Sequence, residues 1–166
     1  LAGPTPAVDA AVLIGSGTPH WLAQQGLKTL AQTQLIAVVS RLCGYWPGAR
    51  LGFGGTQALT LMREWAAFSR TGRLAPGGRD IAAGLAVRSL PLLAVDLDND
   101  TLAPPAAVDE LVGLFASADV ERFTFAKAAG DPGRPVNHYS FARSPEIIGE
   151  RIAAWATGRV DERTRP

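Results

Sequence analysis

Two stretches of this chain bunch their apolar residues instead of alternating them. "VDAAVLIGSGT" (8–18) is a short apolar run closed by Gly15-Ser16-Gly17, and "SLPLLAVDLDND" (89–100) opens on Pro91 and runs apolar through Leu92 to Val95. Short unbroken apolar runs bounded by turn residues predict buried strands of a parallel sheet. "VERFTFA" (120–126) alternates and predicts a third strand. Helical spacing occupies much of the rest. Over residues 20–45, Trp21, Leu22, Leu27, Leu30, Leu35, Ile36, Val39 and Leu42 recur at three- and four-residue steps, with Gly44 as the stop. "QALTLMREWAAFSR" (57–70) puts Leu61, Trp65 and Phe68 on one side, and a short helical or irregular stretch follows "TGRLAPGG". "PPAAVDELVGLFAS" (104–117) begins with proline in its first turn and carries Val108, Leu111, Val112 and Phe115 on one face. Ser144-Pro145-Glu146 predicts an N-cap, a first-position proline and a first-turn acid. Ile148, Ile152 and Trp155 follow as a core stripe ended by Gly158. The closing "DERTRP" reads as a frayed tail.

The predicted class is therefore α/β: a parallel sheet of about three strands flanked by helices, with a helical insertion between the first two strands. The core is expected at 1–19 and 88–160, a helical cap at 20–87 and the tail at 161–166. Three strands with open edges read as the second half of a larger α/β domain.

The 166 residues suit one globular domain, at 47% hydrophobic and 19% charged. A net charge of +1, with both signs scattered, gives no reason to expect nucleic acid. No apolar run reaches the roughly 20 residues of a membrane span, so no membrane partner is expected. The N-terminus lacks the pattern of a signal peptide. The lone Cys43 cannot form an intrachain disulfide and fits a reducing, cytoplasmic setting; with no basic neighbour, it is expected to be a buried inert thiol.

In open α/β sheets, sites form beyond the carboxyl ends of the strands. Here those ends carry "GSGTPHW", "DLDNDTLAPP" and the loop into "PVNHYSFAR". His138 is thereby a candidate base, with one of the acids at the second strand end, Asp96, Asp98 or Asp100, as its orienting carboxylate. Asp96 and Asp98 share the parity of Asp100 and compete for that role. A buried or capping histidine is the alternative for His138. The D-x-D-x-D string is similar to a calcium loop, but Thr101 stands where such a loop needs glycine, so no metal is expected. Ser16, Thr18, His20 and Trp21 are expected to face the same cleft, with Ser16 and Trp21 as candidate substrate contacts. Trp46 and Phe53, in the glycine-rich "YWPGARLGFGGT" (45–56), line an apolar pocket or pack in the core. G-F-G-G lacks the lysine and context of a phosphate loop.

"PLLAVDLDNDTLAPPAAVDELVGLF" followed by "PVNHYSFAR" resembles the C-terminal half of the α/β-hydrolase family. Asp100-Thr-Leu-Ala-Pro104 matches the D-x-x-x-P setting of that family's catalytic acid, and His138, 38 residues on, precedes the final helix as its catalytic histidine does. "CGYWPGARLGFGGTQALTLMREWAAFSR" is similar to the cap segment of a bacterial branch of the family. The resemblance implies a serine-type hydrolase of carboxylic esters or thioesters, needing no cofactor, with a small ester-like molecule as substrate. It departs from the family in lacking a G-x-S-x-G elbow. By family order that elbow is expected shortly before residue 1, so the upstream segment would supply the nucleophile and the lone chain would be inactive. A haloalkane or acyltransferase chemistry would share the same acid and base. A different class of function, a non-enzymatic half-domain that binds a partner or an apolar ligand, also fits the aromatic loop around Tyr45, Trp46 and Phe53.

Overall fold

The computed structural model describes residues 8–126, 136–143 and 145–164. Ser144, the expected N-cap, and most of the "KAAGDPGRPVN" loop lie outside the described residues, and for 160–164 only the backbone is described.

Three strands form one parallel sheet in the order β1 (Ala11–Ile14), β4 (Pro91–Leu97), β5 (Asp119–Phe125). Ala11 pairs with Leu92 and Ile14 with Val95; Pro91 pairs with Asp119 and Leu97 with Phe125. The fold is thus α/β, with a parallel sheet flanked by helices. β4 is central because it tolerates burial on both faces: Leu92, Leu93, Ala94 and Val95 are all essentially inaccessible. Leu93, Val95 and Leu97 point to one side, where they pack with Phe125 against Ile148 and Trp155 of α6 (Pro145–Thr164). The other side meets α5 (Pro105–Gly113), whose Ala107 and Val108 are buried. The register brings all three carboxyl ends to one edge.

Between β1 and β4 lie α1 (Leu27–Cys43), β2 (Tyr45–Pro47), α2 (Gly48–Leu51), β3 (Thr56–Ala58), α3 (Leu59–Thr71) and α4 (Ala82–Ala86). This block is not purely helical as expected: β2 and β3 form a small antiparallel hairpin, Tyr45 against Ala58 and Pro47 against Thr56. Gly48 makes the hairpin loop possible. A Cβ there would fall 1.9 Å from the Phe53 carbonyl oxygen and 2.4 Å from Trp46 Nε1, so only glycine lets the loop close.

Other expectations need correction. Residues 21–26 turn rather than extend α1, which starts at Leu27 after Gly26 adopts φ 63°. Leu22, Leu27, Leu35 and Leu42 are exposed, and α1 buries Thr33, Ile36 and Ser40. In α3 the buried line is Met62, Ala66 and Ser69, one residue later than the expected Leu61, Trp65 and Phe68. The cause is that α1 and α3 meet through small and polar residues. Thr33 Oγ1 lies 2.9 Å from Ser69 Oγ, Gln34 donates to the Ala66 carbonyl at 2.9 Å, and Ser40 donates to the Ile36 carbonyl at 2.7 Å. Each buried hydroxyl is satisfied, so close helix contact carries no penalty. Cys43 is exposed, because the buried face of α1 ends at Ser40. Gly158 does not stop α6, which runs through the expected tail to Thr164; Arg159, just past the glycine, pairs with Asp119 of β5 and stacks 5.9 Å from the Trp155 ring. Among the described residues, no helix is long and apolar enough to cross a membrane.

Candidate active site

Asp100 and His138 meet at the carboxyl edge of the sheet. His138 Nδ1 donates to Asp100 Oδ2 at 2.8 Å. The carboxylate is wholly buried, whereas the imidazole keeps 37% of its surface exposed. Asp100 Oδ1 accepts the backbone N–H groups of Leu102 and Ala103 at 2.9 and 3.0 Å. Both carboxylate oxygens are thereby committed, so a buried charge is hydrogen-bonded rather than bare. Because Asp100 can only accept, Nδ1 carries the imidazole hydrogen. Nε2 is left as the acceptor nitrogen, with no partner among the described residues.

The chain builds this pair locally. The Asp100 N–H donates to the Leu97 carbonyl and turns the chain directly after β4. Asn99 N–H donates to the Val136 carbonyl, which ties the acid loop to the histidine loop. Asn137 then shapes the histidine turn: its Oδ1 accepts from Tyr139 N and Ser140 N, both at 3.0 Å, and its own N–H donates to Ser140 Oγ. Tyr139 packs edge-on to the His138 ring, 5.4 Å between centroids. Phe141 anchors the turn in the core beneath.

The competing carboxylates are placed elsewhere. Asp98 is exposed and accepts from Asn99 Nδ2. Asp96 lies within β4, 3.6 Å from Arg122 Nε, with its Oδ1 buried and without a hydrogen-bond partner among the described residues. Burial pushes its carboxyl above the usual value, a rise opposed by Arg122 and reinforced by Asp109. Among the described residues, no three His, Cys, Asp or Glu side chains are grouped to hold a metal ion.

His138 opens onto a cleft of about 900 Å³ between the strand ends and the inserted block. Ser16, Trp46 and Phe53 line it, as does an apolar wall of Ile36, Met62 and Trp65. Trp46 is both pocket and core: it is buried with Ile36 and Met62, and its Nε1 donates to the Phe53 carbonyl at 2.9 Å. Phe53 in turn lies 6.4 Å from the Trp65 ring. Trp21 is not in the lining; its backbone N–H bonds to the Ser69 carbonyl at the end of α3. Ser16 Oγ donates to the Ile14 carbonyl at 3.0 Å, so its proton is committed to the backbone.

His20 does not join the cleft. Its Nδ1 donates to Glu110 Oε1 of α5 at 2.6 Å, and Thr18 Oγ1 donates to the other oxygen of the same carboxylate. Three cleft features had no signal in the sequence. Gln24 bridges the Thr18 and Leu102 carbonyls and so joins the first strand end to the acid loop. Met62 and Lys28 reach the lining from helices whose faces the apolar pattern misplaced. No family model matches this chain, and no curated protein matches it.

Proposed function

We propose that this chain is the C-terminal part of an α/β-hydrolase, contributing base and orienting acid to a serine nucleophile carried by a segment outside these 166 residues. The observation that carries the reading is the Asp100–His138 pair: a fully buried carboxylate holding Nδ1 while Nε2 opens to a cleft, on adjacent strand ends. The unpaired outer edge of β1, among the described residues, offers a place for a neighbouring strand ending at the same edge. Ser16 is not the nucleophile in this reading, because its hydroxyl serves the Ile14 carbonyl.

The reaction is acyl transfer to water. The serine hydroxyl attacks the ester carbonyl as its proton passes to His138 Nε2. The imidazolium, oriented and stabilised by Asp100, returns that proton to the departing alkoxide or thiolate, leaving an acyl-enzyme. Water then repeats the sequence: its proton goes to Nε2, its oxygen to the acyl carbon, and the serine is released with its proton restored. The wall of Ile36, Trp46, Met62 and Trp65 suits an apolar acyl group.

The test is hydrolysis of p-nitrophenyl butyrate by the protein extended through its upstream reading frame. His138→Ala and Asp100→Asn should each lower kcat by about a thousandfold or more. Near-full activity in either variant would reject the assignment. The size and apolar wall of the cleft also favour a second reading, a binding module for a small apolar ligand. An extended protein that binds such a ligand at the cleft but shows no esterase or thioesterase activity would favour it.

A further inference from the structure

The exposed side of α1 is not a random scatter of leucines. Leu27, Ala31, Leu35, Val38 and Leu42 step by four, four, three and four residues, which makes one continuous stripe about 22 Å long. The four larger side chains are 70%, 62%, 55% and 81% exposed. At 100° per residue this stripe lies opposite Thr33, Ile36 and Ser40, the line buried toward α3. It therefore has no partner among the described residues, and it is too long and regular to be isolated surface leucines.

Charge supplies a second observation. Residues 20–87 contain seven basic residues and two acidic ones, Glu64 and Asp80, a formal charge of +5. The rest of the chain contains nine basic and thirteen acidic residues, a charge of −4. The overall +1 conceals this division. Lys28 and Arg41 sit on opposite flanks of the stripe, α1 contains no acidic residue, and Arg50 follows on α2 beside the exposed Leu51. Lys28, Arg41, Arg50 and Arg63 are all exposed, and none forms an ion pair among the described residues.

We propose that α1 seats the inserted block on an anionic lipid surface. Leu27, Leu35, Val38 and Leu42 enter the acyl boundary, and Lys28 and Arg41 reach up to the headgroups on either side. A second copy of the chain fits less well. Two α1 helices paired about a two-fold axis would gather four cations with no carboxylate to offset them. An aliphatic stripe lacking aromatic anchors also suits fluid acyl chains better than a fitted protein interface, whose centre favours aromatics and methionine. Leu35 belongs to both stripe and cleft lining, so the cleft mouth opens beside the lipid-facing side.

The test is sedimentation of the 166-residue protein with phosphatidylcholine vesicles, with and without phosphatidylglycerol as about a third of the lipid. Partitioning onto the anionic vesicles should be at least tenfold stronger, roughly the effect of two or more surface cations, and should weaken in high salt. Val38→Glu/Leu42→Glu should abolish it with an unchanged melting temperature, because both positions are exposed. Lys28→Glu/Arg41→Glu should abolish the preference for anionic lipid. Failure to bind anionic vesicles would overturn the proposal, as would binding that survives Val38→Glu/Leu42→Glu. A dimer dispersed by Val38→Glu/Leu42→Glu, with no vesicle binding, would assign the stripe to self-association instead. None of these readouts depends on a nucleophile, so their failure leaves the hydrolase reading separately testable.

Discussion

Gly15 and Asp100 are in contact across the strand ends: a Cβ built on Gly15 would lie 3.0 Å from Asp100 Oδ2 and 2.8 Å from Leu97 Cδ1. Gly15 also has φ 49°, in the left-handed region. The chain leaving β1 therefore braces the carboxylate oxygen that holds His138. Gly15→Ala should destabilise the protein by about 2 kcal/mol, from left-handed backbone strain and forced displacement of the acid loop. Urea unfolding measures the loss, and the His138 ring resonances should shift with it. An unchanged midpoint and unchanged resonances would show that the contact braces nothing.

Asp100→Asn should separate orientation from stability. The asparagine oxygen can still accept the Leu102 and Ala103 N–H groups, so folding should suffer little. Its amide would donate where the carboxylate accepted, which favours moving the His138 hydrogen from Nδ1 to Nε2. Nitrogen-15 spectra of the imidazole report the tautomer directly. Asp100→Ala should instead cost about 1–3 kcal/mol, because two buried N–H groups lose their acceptor.

The shifted faces of α1 and α3 predict a contrast between similar truncations. Met62→Ala should cost about 3 kcal/mol as a core truncation. Leu42→Ala, at an exposed site, should stay within about 0.5 kcal/mol. Ser69→Leu should cost about 1–3 kcal/mol by overpacking the α1–α3 contact. Thermal melts of the three variants check the ranking.

Asp96 predicts a pH dependence of opposite sign to the usual carboxylate. Its folded pKa lies above the unfolded one, chiefly through burial. Its ionisation therefore opposes folding. The penalty is absent below the unfolded value, grows as pH rises from there through the folded pKa, and is complete above it. Asp96→Asn should raise the melting temperature at pH 7, and the gain should shrink as pH falls through the raised folded pKa and vanish below the ordinary aspartate value. A gain that is constant with pH would remove burial of the charge as the cause.

The sheet was legible because its residues leave one option. Leu92 to Val95 is apolar at four successive positions between Pro91 and a turn-rich end, which suits a strand covered on both faces, and the family resemblance, through the spacing to Pro104, then singles out Asp100 among the three acids there. The stripe of α6 was equally plain, because Ile148, Ile152 and Trp155 compete with no other apolar line. The inserted block was not legible in detail. α1 carries apolar residues on both faces, and its buried side is marked by Thr33 and Ser40, which read as polar surface until their hydrogen bonds are seen. The β2–β3 hairpin has three residues per strand, too few for alternation to register. Glu110 reads as a helix-surface acid, and only the fold brings it to His20. The charge division was present in the sequence within the expected 20–87 boundaries, but the overall charge of +1 hides it until the two parts are counted separately.

The central claim is that His138 serves a serine from outside these residues, and covalent capture tests it most directly. The protein extended upstream should gain the mass of one fluorophosphonate adduct on a serine, while the 166-residue chain gains none. His138→Ala should slow that capture at least about a hundredfold. Capture unaffected by His138→Ala, or an extended protein that forms no adduct, would contradict the account.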